Sequence, residues 1–348
     1  MKFTDLKYLT AYLIPLTGYI AIFNEGMWSW SAVIFAFVMI PLIEFFVGRS
    51  KHNLTAEEQE SKLDSGYFDA LLYLNIPLLF GLVMAYLITI TSGTFATADI
   101  VGKTLSVGIV LGACINVAHE LGHKNSWYQQ WAAKLLLLPS LYMHFIIEHN
   151  RGHHVNIATP EDPASSRKGE MVYAFWLRSS IMSYVSAWKL ETKRLKRSDK
   201  SVISLDNEMI TFHIIQGAYL GLVTYFFGFA GLLFAIAIAI VGFLLLETIN
   251  YIEHYGLQRK KLANGRYERV DMRHSWNSNH EIGRIVLYEL TRHSDHHFKA
   301  NRKYQVLRHH DESPQLPLGY PGSMLMSFVP PLWFAVMNRK LAQLETAR

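Results

Sequence analysis

Apolar and polar positions along the chain separate into long blocks rather than mixing evenly. Mainly apolar runs occupy roughly 8–24, 30–48, 68–92, 98–120, 131–148, 209–228 and 230–252. A helix needs about 20 mainly apolar residues to cross a bilayer, so these seven runs are the candidate spans. The fifth is the weakest: WAAKLLLLPSLYMHFIIEH is short, contains Lys134 and Pro139, and ends in polar residues. The N-terminal MKFTDLKYLTAYLIPLTGYIAIF has the charge-then-apolar order of a signal peptide. No small-residue cleavage site follows and a second apolar run comes soon after, so it is expected to be a retained first span.

Histidines settle the number of spans. They crowd into three packets, HELGH (119–123), HNRGHH (149–154) and RHSDHH (292–297), in a chain that is otherwise largely apolar. If 131–148 crossed the membrane, the first two packets would face opposite compartments and could not share a site. If it lies along the interface or in a soluble cap, they stay together, and His254 emerges from the last run on the same side. Six spans are therefore expected, at about 8–24, 30–48, 68–92, 98–120, 209–228 and 230–252. The short connections 25–29, 93–97 and 228–230 carry no Lys or Arg, whereas 124–210 carries twelve. Basic loops stay inside, which puts both termini and every packet in the cytoplasm. The expected fold is an all-α integral membrane protein, one domain through 1–348, with a cytoplasmic helical cap from 121–208 and 255–348.

Composition adds limits. Charged residues are 18% of the chain and hydrophobic ones 51%, against about 25% charged in an average soluble protein. Mean hydropathy is only +0.13, consistent with a polar cap beside the spans. The single cysteine, Cys114, lies in an apolar run and reads as a small buried residue. One cysteine excludes an internal disulfide and a thiolate metal cluster, so any metal must be held by nitrogen or oxygen. The basic run KRLKRSDK (193–200) reads as a solvated face or a contact with anionic headgroups. No internal repeat and no nucleic-acid module is evident.

The packets have the spacing of ligands. Residues three or four apart share a helix face, as do His119 with His123, His149 with His153 beside His154, and His293 with His296 and His297. Eight imidazoles in three such clusters exceed what one ion needs, so two metal ions follow. Imidazole donors without thiolates suit iron or zinc. His254, where the sixth span leaves the membrane, is the candidate ninth ligand. His52, His144, His213, His274, His280, His309 and His310 read as hydrogen-bonded or solvated instead. Glu281 and Asp295 are candidates for the carboxylates that orient ligand imidazoles. HELGH also matches the HExxH zinc-protease motif with Glu120 as base, but that reading leaves the other packets unexplained.

The full set HX3H, HX3HH, HX2HH resembles the membrane-bound di-iron oxygenases: fatty-acyl desaturases, fatty-acid hydroxylases, and alkane and xylene monooxygenases. NYIEHYGL (250–257), RHSWNSNHEI (273–282), LTRHSDHHFKANRKYQVLR (290–308) and PQLPLGYPGSM (314–324) narrow the resemblance to the alkane 1-monooxygenases. LTRHSDHH departs from many of those sequences in having threonine for glutamine, at a position that is no ligand. The resemblance implies nine iron ligands: His119, His123, His149, His153, His154, His254, His293, His296 and His297. It also implies a two-iron cofactor, O2 as co-substrate, and terminal hydroxylation of medium-chain n-alkanes at the bacterial inner membrane. Electrons are expected from rubredoxin, reduced by an NADH-dependent reductase, since this chain shows no flavin, nucleotide or cysteine-cluster motif. Acyl-lipid desaturation or hydroxylation is the rival activity within the same superfamily.

Overall fold

The computed structural model describes residues 2–346, and among these it is helical, with only isolated β-bridges. Five helices are long and apolar enough to cross a membrane. They are α1 (Phe3–Phe23), α2 (Gly26–Val47), α3 (Tyr67–Ser92), α4 (Thr97–Gly122) and one of 47 residues, Glu208–His254. A straight helix of that length would run roughly 70 Å, more than twice the hydrocarbon core of about 30 Å. It is broken at Gly228, where φ is +67°, a conformation that only glycine takes without strain. The two halves, 208–227 and 229–254, are α7 and α8 here.

α4 is the central helix, and its position against α8 sets the site. Gly108 and Gly112 lie on one face, and an added Cβ at either would strike Val241 or Leu245 of α8. Gly242 faces back toward Leu111 and the Gly108 carbonyl. Small residues at this spacing let two membrane helices approach closely, which fixes the end of α4, with His119, against the end of α8, with His254. Lys103, buried on α4, donates to the carbonyls of Ala21 at 3.1 Å, Ile22 at 2.8 Å and Asn24, satisfying the open C-terminal end of α1.

The doubtful run 131–148 does not form one long helix. Trp127–Leu137 (α5) is an 11-residue helix that ends in turns, with Leu141 at φ +53°. The chain re-enters helix over 145–156 (α6). Leu136, Leu137, Ile146 and Ile147 are buried against the bundle. A long amphipathic helix, Val172–Arg197 (α9), covers α6. Buried Glu191 ties the two together, accepting from Arg151 at 2.7 Å and Arg194 at 2.6 Å. Beyond His254 the chain is largely irregular to residue 280. Three short helices follow, Glu281–Val286 (α10), His293–Phe298 (α11) and Tyr320–Ser327 (α12), then Pro330–Thr346 (α13).

Candidate metal centre

All sixteen histidines fall within the described residues, and nine of them converge. Two groups form, each with ring nitrogens lying within 4.8 Å of one another: His119, His123, His149, His154 and His296, and His153, His254, His293 and His297. These are the nine that the sequence and its resemblance single out. Facing Nε2 atoms are 3.0 Å apart for His149 and His154, 3.3 Å for His154 and His296, 3.2 Å for His153 and His297, and 2.8 Å for His293 and His297. A metal–nitrogen bond of about 2.0–2.1 Å puts nitrogens at right angles about 3 Å apart, so these spacings suit neighbours on one ion.

The packets do not map one to one onto the groups. His149–His153 is a π-helical turn. Its i→i+5 geometry brings His149 and His154 to one side and sends His153 to the other group. In α11, His293 and His297 share a face by helix spacing, and His296 points to the five-histidine group. Each of the last two packets therefore serves both groups.

Burial tests whether metal ions fit. Burial pushes His123 down to about 3 and holds His149, His154, His293, His296 and His297 well below the ordinary histidine value, so these imidazoles are neutral. Nε2 of His119, His123 and His254 is buried with no hydrogen-bond partner, a costly state unless another group takes the lone pair. Four buried carboxylates surround the cluster: Glu148, Asp162, Glu247 and Glu253. None pairs with a lysine or arginine, unlike buried Glu120, Glu191, Glu289 and Asp295, although Glu44, away from the cluster, is also buried without one. Burial pushes Glu148 well above the carboxylate range, and Asp162 and Glu247 push it the same way. Carboxylates buried in this number beside the imidazoles favour cations bound within the cluster. The donor set and the charge both fit a pair of metal ions.

Asp162 accepts from His153 Nδ1 at 2.9 Å and from the Ser165 hydroxyl at 2.6 Å. Burial works to raise the Asp162 carboxyl, but the His153 imidazole outweighs it and holds it low. Glu253 Oε2 is 3.2 Å from His293 Nε2. Neither carboxylate carries a spacing signal in the sequence; adjacency to His254 was the only clue to Glu253. The two carboxylates expected from sequence lie elsewhere. Glu281 is half-exposed, 3.8 Å from Lys7, because it opens α10 on the side facing the N-terminal segment. Asp295 sits in the third packet but accepts from Arg302, His310 Nε2 and the Arg308 N–H, bracing the chain behind the histidines.

The seven remaining histidines join neither group. His213 is exposed and bonded to Tyr184 and the Met209 carbonyl, His309 to Asn279 and Asp311, and His274 to Glu268. Glu120, the base of the protease reading, is tied to Lys124 and the Tyr304 N–H instead.

Three adjoining cavities line up from the bundle face to the centre. Half-buried Val33, Leu105 and Leu244 line a cleft on the bundle face, which shares Phe37, Ile109 and Leu245 with a second cavity. That cavity shares Asn116 and Ile249 with a third, bounded by His119, His149, Glu253 and His293.

The fatty acid desaturase family model matches residues 98–324, well over half of the chain. The chain is 41% identical over 333 residues to alkane 1-monooxygenase 2 of Pseudomonas aeruginosa, covering 94% of this chain and 88% of that one. It is 39% identical to alkane 1-monooxygenase 1 of Alcanivorax borkumensis, over 95% and 81% of the two chains. It is 29% identical to the hydroxylase component of xylene/toluene monooxygenase from Pseudomonas putida, over 95% and 88%. With its nine histidines gathered at the end of these adjoining cavities, the chain belongs to the fatty acid desaturase family, on its alkane 1-monooxygenase branch.

Proposed function

We propose that the protein hydroxylates the terminal carbon of medium-chain n-alkanes: RH + O2 + 2 e⁻ + 2 H⁺ → ROH + H2O. The observation that carries this reading is the row of adjoining apolar cavities that ends at both histidine groups, in a chain related to alkane 1-monooxygenases. His119, His123, His149, His154 and His296 would hold one iron, and His153, His254, His293 and His297 the other. Bound iron supplies the oxygen-activating redox chemistry that no side chain can provide.

The chain's own residues supply position. The passage walls, Phe37, Ile109, Leu245 and Ile249, exclude water and offer no polar group that would hold a mid-chain carbon. A chain end entering first meets the histidines, so geometry overrides the weaker internal C–H bonds. Asp162 holds the proton on His153 Nδ1, leaving Nε2 free to face its group.

Six spans with both termini in the cytoplasm support this arrangement. α7 and α8 then count separately across the Gly228 break, and the passage opens toward lipid, where an alkane dissolves. The site lies on the cytoplasmic side of a bacterial inner membrane. The cytoplasmic cap belongs to a chain of net charge +5, a balance that would steer an acidic electron carrier such as rubredoxin. Product analysis after feeding octane or dodecane to cells making the protein tests the reading. 1-Octanol or 1-dodecanol is expected; unsaturated or hydroxylated acyl lipids without alkanol would refute it.

A further inference from the structure

The two histidine groups are unequal, with five imidazoles in one and four in the other. We propose that the Glu253 carboxylate is the fifth donor of the four-histidine group, a metal ligand in its own right. The inference rests on the metal-binding reading above and goes beyond its nine histidines.

Glu253 directly precedes His254 at the end of α8 and is 3% exposed. Its Oε1 accepts a 2.6 Å hydrogen bond from the Tyr320 hydroxyl, and its Oε2 lies 3.2 Å from His293 Nε2. No lysine or arginine reaches it. A carboxylate buried without a cation is costly, and a tyrosine with a neutral imidazole does not balance its charge.

The contact with His293 decides between two roles. For Oε2 to accept a hydrogen bond there, His293 must carry its proton on Nε2. That same nitrogen lies 2.8 Å from His297 Nε2 and faces into the group, so a proton on it would remove His293 as an Nε2 ligand. If instead Nε2 donates its lone pair to a metal ion, no hydrogen remains for Glu253. The 3.2 Å spacing is then that of two donors side by side on one ion, given metal–ligand bonds of about 2.0–2.2 Å. Mixed imidazole and carboxylate donors suit iron. Tyr320, on α12, fixes the carboxylate from behind and leaves Oε2 aimed at the group. Glu253 is also the one carboxylate bounding the inner end of the apolar passage, so the donor it provides faces the substrate side.

A carboxylate on one position and none on the other makes the two irons spectroscopically distinct. The test uses the full-length protein loaded with 57Fe in detergent, read by Mössbauer spectroscopy and by iron release to a chelator. Removing even a group that only supports a ligand costs about 10–100-fold in metal affinity. Glu253→Gln should therefore alter one of the two quadrupole doublets, leave the other, and release one iron at least about tenfold faster. Tyr320→Phe should keep both irons and shift the same doublet, because the carboxylate loses its anchor but not its charge. Doublets and release rates equal to wild type in both variants would overturn the proposal. If Glu253→Gln is not monodisperse, Tyr320→Phe alone decides, and an unchanged spectrum overturns it. A wild-type protein that holds two irons and makes 1-octanol while both variants match it removes only this inference. A wild-type protein that binds no iron removes the metal reading as well.

Discussion

Asp162→Asn isolates one of the two metal positions. Asp162 is fully buried and accepts three hydrogen bonds, from His153 Nδ1 at 2.9 Å, Ser165 Oγ at 2.6 Å and the Ala164 N–H at 3.1 Å. Asparagine keeps the shape but loses the charge, and one of its two terminal atoms becomes a donor. With the amide nitrogen toward His153, both His153 and Ser165 lose their acceptor; with the amide oxygen there, the Ala164 N–H loses its own. In either orientation the imidazole loses the negative charge that raises its basicity at Nε2. Supporting carboxylates of this kind are worth about 10–100-fold in metal affinity, or about 1.4–2.8 kcal/mol at 1.4 kcal/mol per tenfold. His153 belongs to the four-histidine group alone, so only that position should weaken. Iron per chain, measured on monodisperse protein across a chelator series, should pass through a plateau near one in the variant, at chelator levels where wild type still holds about two. If both irons leave together, or if the variant tracks wild type throughout, the assignment of His153 and Asp162 to one position is wrong.

Three further outcomes are expected. His254→Ala should insert and purify normally but lose iron from the four-histidine group and its hydroxylase activity, while His213→Ala, whose ring bonds Tyr184 and the Met209 carbonyl, keeps its iron; elemental analysis with octanol assay checks both. Ala113→Phe places a ring in the passage wall, where overpacking costs about 1–3 kcal/mol; octane turnover should fall at least about tenfold with iron content unchanged, and an unaltered rate would mean that substrate enters elsewhere. A reporter fused to the C-terminus should be active in the cytoplasm, and activity confined to the periplasm would break the six-span topology.

The distribution of legible and illegible features follows from distance along the chain. Apolar runs and their lengths are local, so the long apolar helices could be read directly, and the parity of the histidine packets set 131–148 apart, a run that folds as two short helices. Histidine spacing is also local and singled out eight members of the two groups, whereas His254 rested on its place at the end of the last run and on the NYIEHYGL resemblance. How the packets divide was not legible, because a π-turn at His149–His153 shifts the phase of the helix by one residue and nothing in HNRGHH announces it. Carboxylate roles failed for a related reason. Glu281 and Asp295 lie close to the third packet in sequence, but side-chain direction sends one to Lys7 and the other to Arg302. Asp162 reaches His153 only through the fold of the TPEDPA loop, and Glu253 through the rotation of α8 against α11.

The site also ties the fold together, which leads to a prediction about metal removal. Its ligands come from the ends of two spans, His119 and His123 with α4 and His254 with α8, and from two cap segments, 149–154 and 293–297. The spans are held by their own packing, such as the Gly108–Gly112 contact with α8. The cap around 255–280 has almost no regular structure, so its attachment depends more on the ions. A ligand present at 100 times its dissociation constant adds about 2.7 kcal/mol to the state that binds it, so two ions would add about 5.4 kcal/mol. Without them, the four unpaired carboxylates lose their counter-charges together. Local opening of the cap should then rise by roughly four orders of magnitude, while α4 and α8 stay closed. Hydrogen exchange on protein in detergent, with and without chelator, reads this directly. Segments 149–165 and 290–310 should exchange much faster after chelation, the middle of α4 should not, and ferrous iron should restore protection. Equal acceleration along the whole chain would mean that the ions hold up the bundle itself, and no change in the cap would mean that the histidines are stable there without metal.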